Sequence, residues 1–204
     1  MANEFDDWRS KYDTMSSSEQ VEYYNEIEEL YPEQAHYNYE NVKIVLELGK
    51  KNADVLEFGT WKADLCETAL KEYEINSWTG IEICKSAIDK TRCKDPKFKY
   101  IFPTKFDWFN DNDRPKCDIV IATHFIEHLS NEHFNALAKY CEGVEYIYFE
   151  APLSDNGEDW SGYFGTHKLF YGWNQVVEVM AQNNFEVVHN LNQGKIFKTI
   201  KKLK

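Results

Sequence analysis

From Ala53 onward, short apolar runs alternate with segments of helical periodicity, and this alternation restricts the fold more than any single motif. ADVLEF (53–58), SWTGIEI (77–83), KFKYIF (97–102), CDIVIATHF (117–125) and VEYIYFEAP (144–152) read as strands. KADLCETALKEYE (62–74), KSAIDKTRCK (85–94), NEHFNALAKYCEG (131–143) and KLFYGWNQVVEVMAQNN (168–184) read as helices. Strands separated by helices imply a mostly parallel sheet covered on both faces, an α/β architecture. FEVVHN (185–190) and KIFKTIKKL (195–203), joined by LNQG, read as a hairpin, so one late strand runs antiparallel.

The first 50 residues follow a different pattern. SSSEQVEYYNEIEELYP (16–32) places serines ahead of Glu19, a helix-start signal, and stops at Pro32. PEQAHYNYENVKIVLELGKKN (32–52) is a second helix, with Tyr39, Val42, Val45, Leu46 and Gly49 at helical spacing and Gly49 or Asn52 as its end. No Gly/Ser-rich linker follows. Residues 1–48 are therefore expected to cap a core formed by residues 49–204, within one domain. A chain of 204 residues is long enough for one well-buried core.

Charge narrows the partners. The net charge is −12, and residues 1–40 carry 11 acids against 2 bases. A polyanion is repelled by that end, so no nucleic acid is expected. The same acidic segment is rich in tyrosine (Tyr23, Tyr24, Tyr31, Tyr37, Tyr39), which favours a polar or cationic small molecule. No apolar stretch approaches the roughly 20 residues of a membrane span, and MANEFDDWRSKYD is too acidic and polar for a secretory signal. The five cysteines are scattered without a CxxC pair, as expected of reduced thiols in the cytoplasm; Cys66 and Cys117 lie in apolar patterns, as small core residues do. Asp and His residues show no metal-ligand spacing, so no metal is expected.

In a sheet of this kind, ligands bind beyond the carboxyl ends of the strands, where strand order reverses. VLEFGTWKADL (55–65) leads out of the first strand. Gly59 allows a tight turn and close backbone approach, and the free N–H groups of the next helix can receive an anion. Trp61 stands where a dinucleotide loop needs a bare backbone, which counts against NAD. Glu82 ends the second strand, where a carboxylate can accept both ribose hydroxyls of an adenosine; the bland alternative is a surface glutamate. Asp107, in TKFDWF, can accept from an adenine amino group between Phe106 and Trp108, one of which is expected to be a core plug. Thr123, His124 and Phe125 end the fourth strand, and Glu127-His128-Leu129 leads into the following helix.

Taken together, these blocks resemble class I S-adenosylmethionine-dependent methyltransferases of the small-molecule type. VLEFGTW is similar to the family's first motif, Glu82 to its ribose-binding acid, and the run from Asp107 through CDIVIATHFIEHL to the stretch with the adenine-side acid, fourth strand and EHL triplet. YIYFEAP followed by GTHKLFYGWNQVVEVMAQNNFEVV resembles the fifth strand and later helix. The resemblance covers roughly residues 50–204 and implies a Rossmann-like seven-stranded sheet with an antiparallel last strand. It implies S-adenosyl-L-methionine as cofactor, with Glu57, Gly59, Thr60 and Trp61 bordering the methionine part. Glu82 and Ile83 would hold the ribose, Phe106, Asp107 and Trp108 would surround the adenine, and Thr123, His124 and Phe125 would form the floor under the sulfonium. N-terminal helices often cover the substrate in this family.

The implied reaction is in-line methyl transfer to a small-molecule acceptor, at oxygen, in which the protein mainly aligns the nucleophile. An oxygen nucleophile calls for a base. His167, in the glycine- and aromatic-rich loop after the fifth strand, is the first candidate and His124 the second; His128 is expected to pack or cap. Glu150 either orients a base or simply ends its strand. A noncatalytic S-adenosylmethionine-binding protein and a nucleotide-linked oxidoreductase remain alternatives. Nothing in the sequence fixes the oligomeric state.

Overall fold

The computed structural model describes residues 16, 19, 22–23, 38–103, 109, 114–155 and 172–200. The helix-start signal at Ser16 takes the form the sequence predicts. The Ser16 hydroxyl accepts from the Glu19 N–H at 3.4 Å, and the Glu19 carboxylate accepts from the Ser16 N–H at 2.7 Å, a reciprocal capping box.

Helix α1 (Tyr39–Leu48) buries Asn41, Val42, Val45 and Leu46 on one face. This stripe packs against β4 and β5, within a cluster that includes Val55, Ile119, Ile121 and Tyr148. The residue that follows the helix, Gly49, is glycine for reasons of space. Its φ is −70°, which any residue adopts, but a Cβ there would lie 2.6 Å from the Ile119 Cδ1.

The sheet has seven strands: β1 (Ala53–Phe58), β2 (Ile75–Ile81), β3 (Phe98–Ile101), β4 (Ile119–Thr123), β5 (Tyr146–Glu150), β6 (Phe185–Leu191) and β7 (Gly194–Thr199). Their order is β3-β2-β1-β4-β5-β7-β6. The first five in that order pair in parallel, and β7 pairs antiparallel with both β5 and β6. Every residue of β1, β4 and β5 is buried, as expected where helices cover both faces. The hairpin lies where LNQG predicts it, with Gln193 in the left-handed region at φ +56°.

Side chains alternate between two cores. Leu56, Phe58, Val120, Ala122, Ile147 and Phe149 meet helices α4 (Asn131–Tyr140) and α5 (Trp173–Gln182) through Phe134, Leu137, Val176 and Met180. On the other face Val55, Trp78, Ile119 and Ile121 meet α1 and α2 (Asp64–Glu72), the latter through Leu65, Cys66 and Ala69. Cys66 is fully buried, as its apolar pattern predicts, and Cys117 packs partly buried against the first core. The connection between β2 and β3 contains only a short helix, α3 (Lys85–Asp89), where the sequence predicts one extending to residue 94.

Strand order reverses between β1 and β4. The chain winds from β1 out to β3, then returns to β4 and continues to β5. The carboxyl tips of β1 and β4 therefore border the crevice at the switch point. Close to it, Gly80 of β2 leaves room for the loop after β1: a Cβ there would lie 2.4 Å from the Thr60 Cγ2 and 2.9 Å from its Cβ. Overpacking of this kind costs roughly 1–3 kcal/mol. Gly80→Ala should lower the unfolding free energy in urea by about that amount, whereas an unchanged midpoint would show that the Thr60 loop yields freely.

Candidate functional site

Several left-handed residues surround the crevice. In the loop from β1 to α2, Gly59 has φ +69°, Trp61 +49° and Ala63 +60°; across from it His124, just beyond β4, has +50°. Non-glycine residues in this region cost of order 1–3 kcal/mol each and concentrate at ligand sites. The loop is nevertheless held firmly. The Gly59 and Thr60 N–H groups donate to the Ile81 carbonyl at 2.9 and 3.3 Å, and the Trp61 carbonyl accepts from the Tyr100 hydroxyl at 2.8 Å. Gly59 lies under the Phe125 ring, whose Cδ2 would be 3.3 Å from an added Cβ, and Phe125 packs on Phe58 at 5.4 Å between centroids.

Two buried carboxylates stand behind this loop. Glu57, in β1, accepts from the Thr60 hydroxyl and from the Trp78 indole N–H at 2.8 Å. Glu82, directly after β2, accepts from the Trp61 N–H at 2.7 Å and the Cys84 N–H at 2.8 Å. Glu82 is only 5% exposed, so the bland expectation of a surface glutamate is set aside. Burial pushes both carboxyls up to about 7. For Glu57 the bonds from Thr60 and Trp78 oppose the rise and the Glu82 charge adds to it; for Glu82 the backbone N–H groups oppose it.

A third cluster lies at the tips of β4 and β5. His124 Nδ1 is 3.3 Å from the Glu127 Oε1 and its Nε2 is 3.7 Å from the Glu150 Oε1. Glu127 and Glu150 are both buried. Burial pulls the imidazole down, but the two carboxylates outweigh it and the histidine titrates above its ordinary range. The Glu150 carboxylate also accepts from the Tyr148 hydroxyl and from the Asn38 N–H, at 3.1 and 3.3 Å to its two oxygens.

The fold thus brings Glu57, Gly59, Thr60, Trp61, Glu82, Thr123, His124 and Phe125 to adjacent strand tips, with Ile83 packed against the first core. His128 sits in a single 3-10 turn (Ile126–His128) and its N–H donates to the Phe125 carbonyl at 3.1 Å. Phe106, Asp107, Trp108 and His167 lie outside the described residues. Sequence reading overlooked Trp78, Tyr100 and Asn38, which hold the site through long-range hydrogen bonds. Alternation along β2 and β3 marks the first two only as strand residues, and nothing local in the sequence gives the backbone partner of Asn38.

No protein-family model matches the chain, and no curated protein matches its sequence. Solved structures do match in shape. A chain from the complex containing the Haloferax volcanii Trm112 methyltransferase activator is similar over 93% of this chain and 100% of its own, at 8% identity and a TM-score of 0.67. The S-adenosylmethionine-dependent, TehB-like methyltransferase from Corynebacterium glutamicum covers 88% of this chain and 98% of its own, at 10% identity and 0.59. The methyltransferase domain of bacterial CtHen1-CN covers 78% and 96%, at 17% identity and 0.58. The chain has the Rossmann-like fold of class I S-adenosylmethionine-dependent methyltransferases, as its sequence pattern implies.

The raised carboxyls fix a pH dependence. Glu57 and Glu82 hold their protons in the native state up to about pH 7, whereas in the unfolded chain they ionise near their ordinary values. The native state therefore binds more protons between those limits. The stability from these two groups is complete below the unfolded value and is lost as pH rises through about 7. Urea unfolding at a series of pH values should show this decline in the ligand-free chain. Glu82→Gln should flatten it, and a variant that follows the wild-type slope would exclude Glu82 as a source.

Proposed function

We propose that the chain is an S-adenosylmethionine-dependent methyltransferase acting on a small molecule, at oxygen, by in-line transfer. The observation that carries this reading is the Glu82 carboxylate, buried at the tip of β2 and held by two backbone N–H groups, on a methyltransferase fold. A carboxylate offers about four lone-pair sites, so Glu82 retains capacity for ribose hydroxyls. The Trp61 indole N–H supports the same reading. It is buried without a partner among the described residues. An unsatisfied buried donor costs about 1–3 kcal/mol, and the amino-acid carboxylate of the cofactor would relieve it.

S-adenosylmethionine, when bound, supplies an activated methyl group on a sulfonium. In this proposal Glu57, Gly59, Thr60 and Trp61 border its methionine end, and Glu82 and Ile83 take the ribose. Phe106, Asp107 and Trp108 take the adenine, while Thr123, His124 and Phe125 close the floor. The left-handed backbone at Gly59 and the nearby Phe125 ring keep the floor thin and apolar. Cation–π contact from Trp61 or Phe125 would contribute about 0.5–2 kcal/mol to a sulfonium. Against the opposing effect of burial, the two carboxylates flanking His124 raise its titration above that of an ordinary histidine. His167 is the first candidate base and His124 the second. The small-molecule acceptor approaches from the side of the N-terminal cap, in the cytoplasm.

Calorimetry should show binding of S-adenosylhomocysteine and none of NAD; the reverse would identify an oxidoreductase. Glu82→Ala should weaken S-adenosylhomocysteine binding by about tenfold or more, the loss of one charge-assisted bond. Unchanged affinity would remove Glu82 from the ribose site. His167→Ala should lower methyl transfer from labelled donor while retaining cofactor affinity, and equal loss of both would show that it is not the base.

A further inference from the structure

Helix α1 begins at Asn38, but the Asn38 side chain does not cap it. The first N–H groups of a helix need an acceptor, and the positive end of the helix dipole favours an anionic one. Here that acceptor comes from 112 residues away: the Glu150 carboxylate at the tip of β5 takes the Asn38 N–H on both oxygens. Further attachment is provided by Asn41, whose amide donates to the Asn192 carbonyl at 3.4 Å. The start of α1 is therefore joined to the tip of β5 at Glu150.

The same carboxylate faces the site. Its Oε1 is 3.7 Å from the His124 Nε2, and its other oxygen is fixed by the Tyr148 hydroxyl. The second titratable group facing His124 among the described residues is Glu127, from the 3-10 turn, 3.3 Å from Nδ1. The Asn38 N–H is bonded to Glu150, so the two carboxylates are not equivalent. Glu127 approaches the histidine from the 3-10 turn, and Glu150 joins the histidine to the start of α1.

We propose that Glu150 is a positioning residue with two attachments, serving both as the long-range cap of α1 and as a counter-ion of His124. One carboxylate thus fixes the start of α1 and contributes to the charge balance of the site histidine. A glutamate that merely ended its strand would do neither.

The test is NMR on the full chain. In the wild type, the His124 imidazole should titrate above the ordinary histidine range, and the Asn38, Asn41 and Val42 amides should be protected from hydrogen exchange. An ordinary midpoint, or an unprotected Asn38 amide, overturns the proposal without any substitution. Glu150→Gln should lower the His124 midpoint and speed exchange at those three amides by about tenfold, as expected for loss of roughly one charge-assisted bond. Glu127→Gln should lower the His124 midpoint while leaving the α1 amides unchanged. Loosening of α1 by both substitutions, or movement of only one readout by Glu150→Gln, overturns it. Neither readout requires cofactor or turnover, so failure here is distinct from failure of S-adenosylhomocysteine to bind.

Discussion

Glutamates buried at the carboxyl tips of parallel strands, held by N–H and hydroxyl donors of neighbouring segments, are the interaction on which the upper face of this sheet depends. Glu82 takes N–H groups from Trp61, in the loop after β1, and from Cys84, where α3 begins. Glu57 ties the same loop to β2 through Thr60 and Trp78. Glu150 ties α1 to β5. Removing an ionised carboxylate from water costs several kcal/mol, and an arrangement of this kind is retained only where donors satisfy it. One of those donors, the Trp61 N–H, comes from a loop with left-handed residues that would not keep that shape unaided.

The parallel sheet was legible in the sequence because buried strands and amphipathic helices differ in period and because LNQG marks a hairpin. Strand positions agree to within a few residues, and the Ser16–Glu19 capping box has the predicted form. The longer helix expected after Glu82 is absent because Thr91 and Arg92 turn back to bond the Lys62 carbonyl, at 3.3 and 3.0 Å. A contact across 29 residues overrides local propensity there, and no window of sequence contains it. The tip residues Glu57, Gly59, Glu82 and His124 could be nominated because strand ends are identifiable. Their electrostatic states were not legible, since those depend on burial and on partners such as Trp78 and Glu127. Glu150 is the clearest case: its sequence position is compatible with an inert strand end, and only the tertiary structure brings Asn38 and His124 to its two sides.

The burial of several acids around one crevice also has a consequence for the ligand that the proposed function requires. Glu57, Glu82, Glu127 and Glu150 all lie at the tips of four adjacent strands or directly beyond them, and each is at most 5% exposed. His124 offsets the last two. Burial, opposed only by neutral donors, is why Glu57 and Glu82 both hold protons up to about 7. A positively charged guest near them would favour their ionised forms and be held in return. On the proposed reading, S-adenosylmethionine carries its charge on sulfur, and transfer of the methyl group removes that charge. The attraction between the rim and the cofactor then falls at the moment the reaction is complete. The same carboxylates that bend the loop into a binding shape would thereby hold the methyl donor more firmly than its demethylated product, a discrimination that follows from charge and low local dielectric alone.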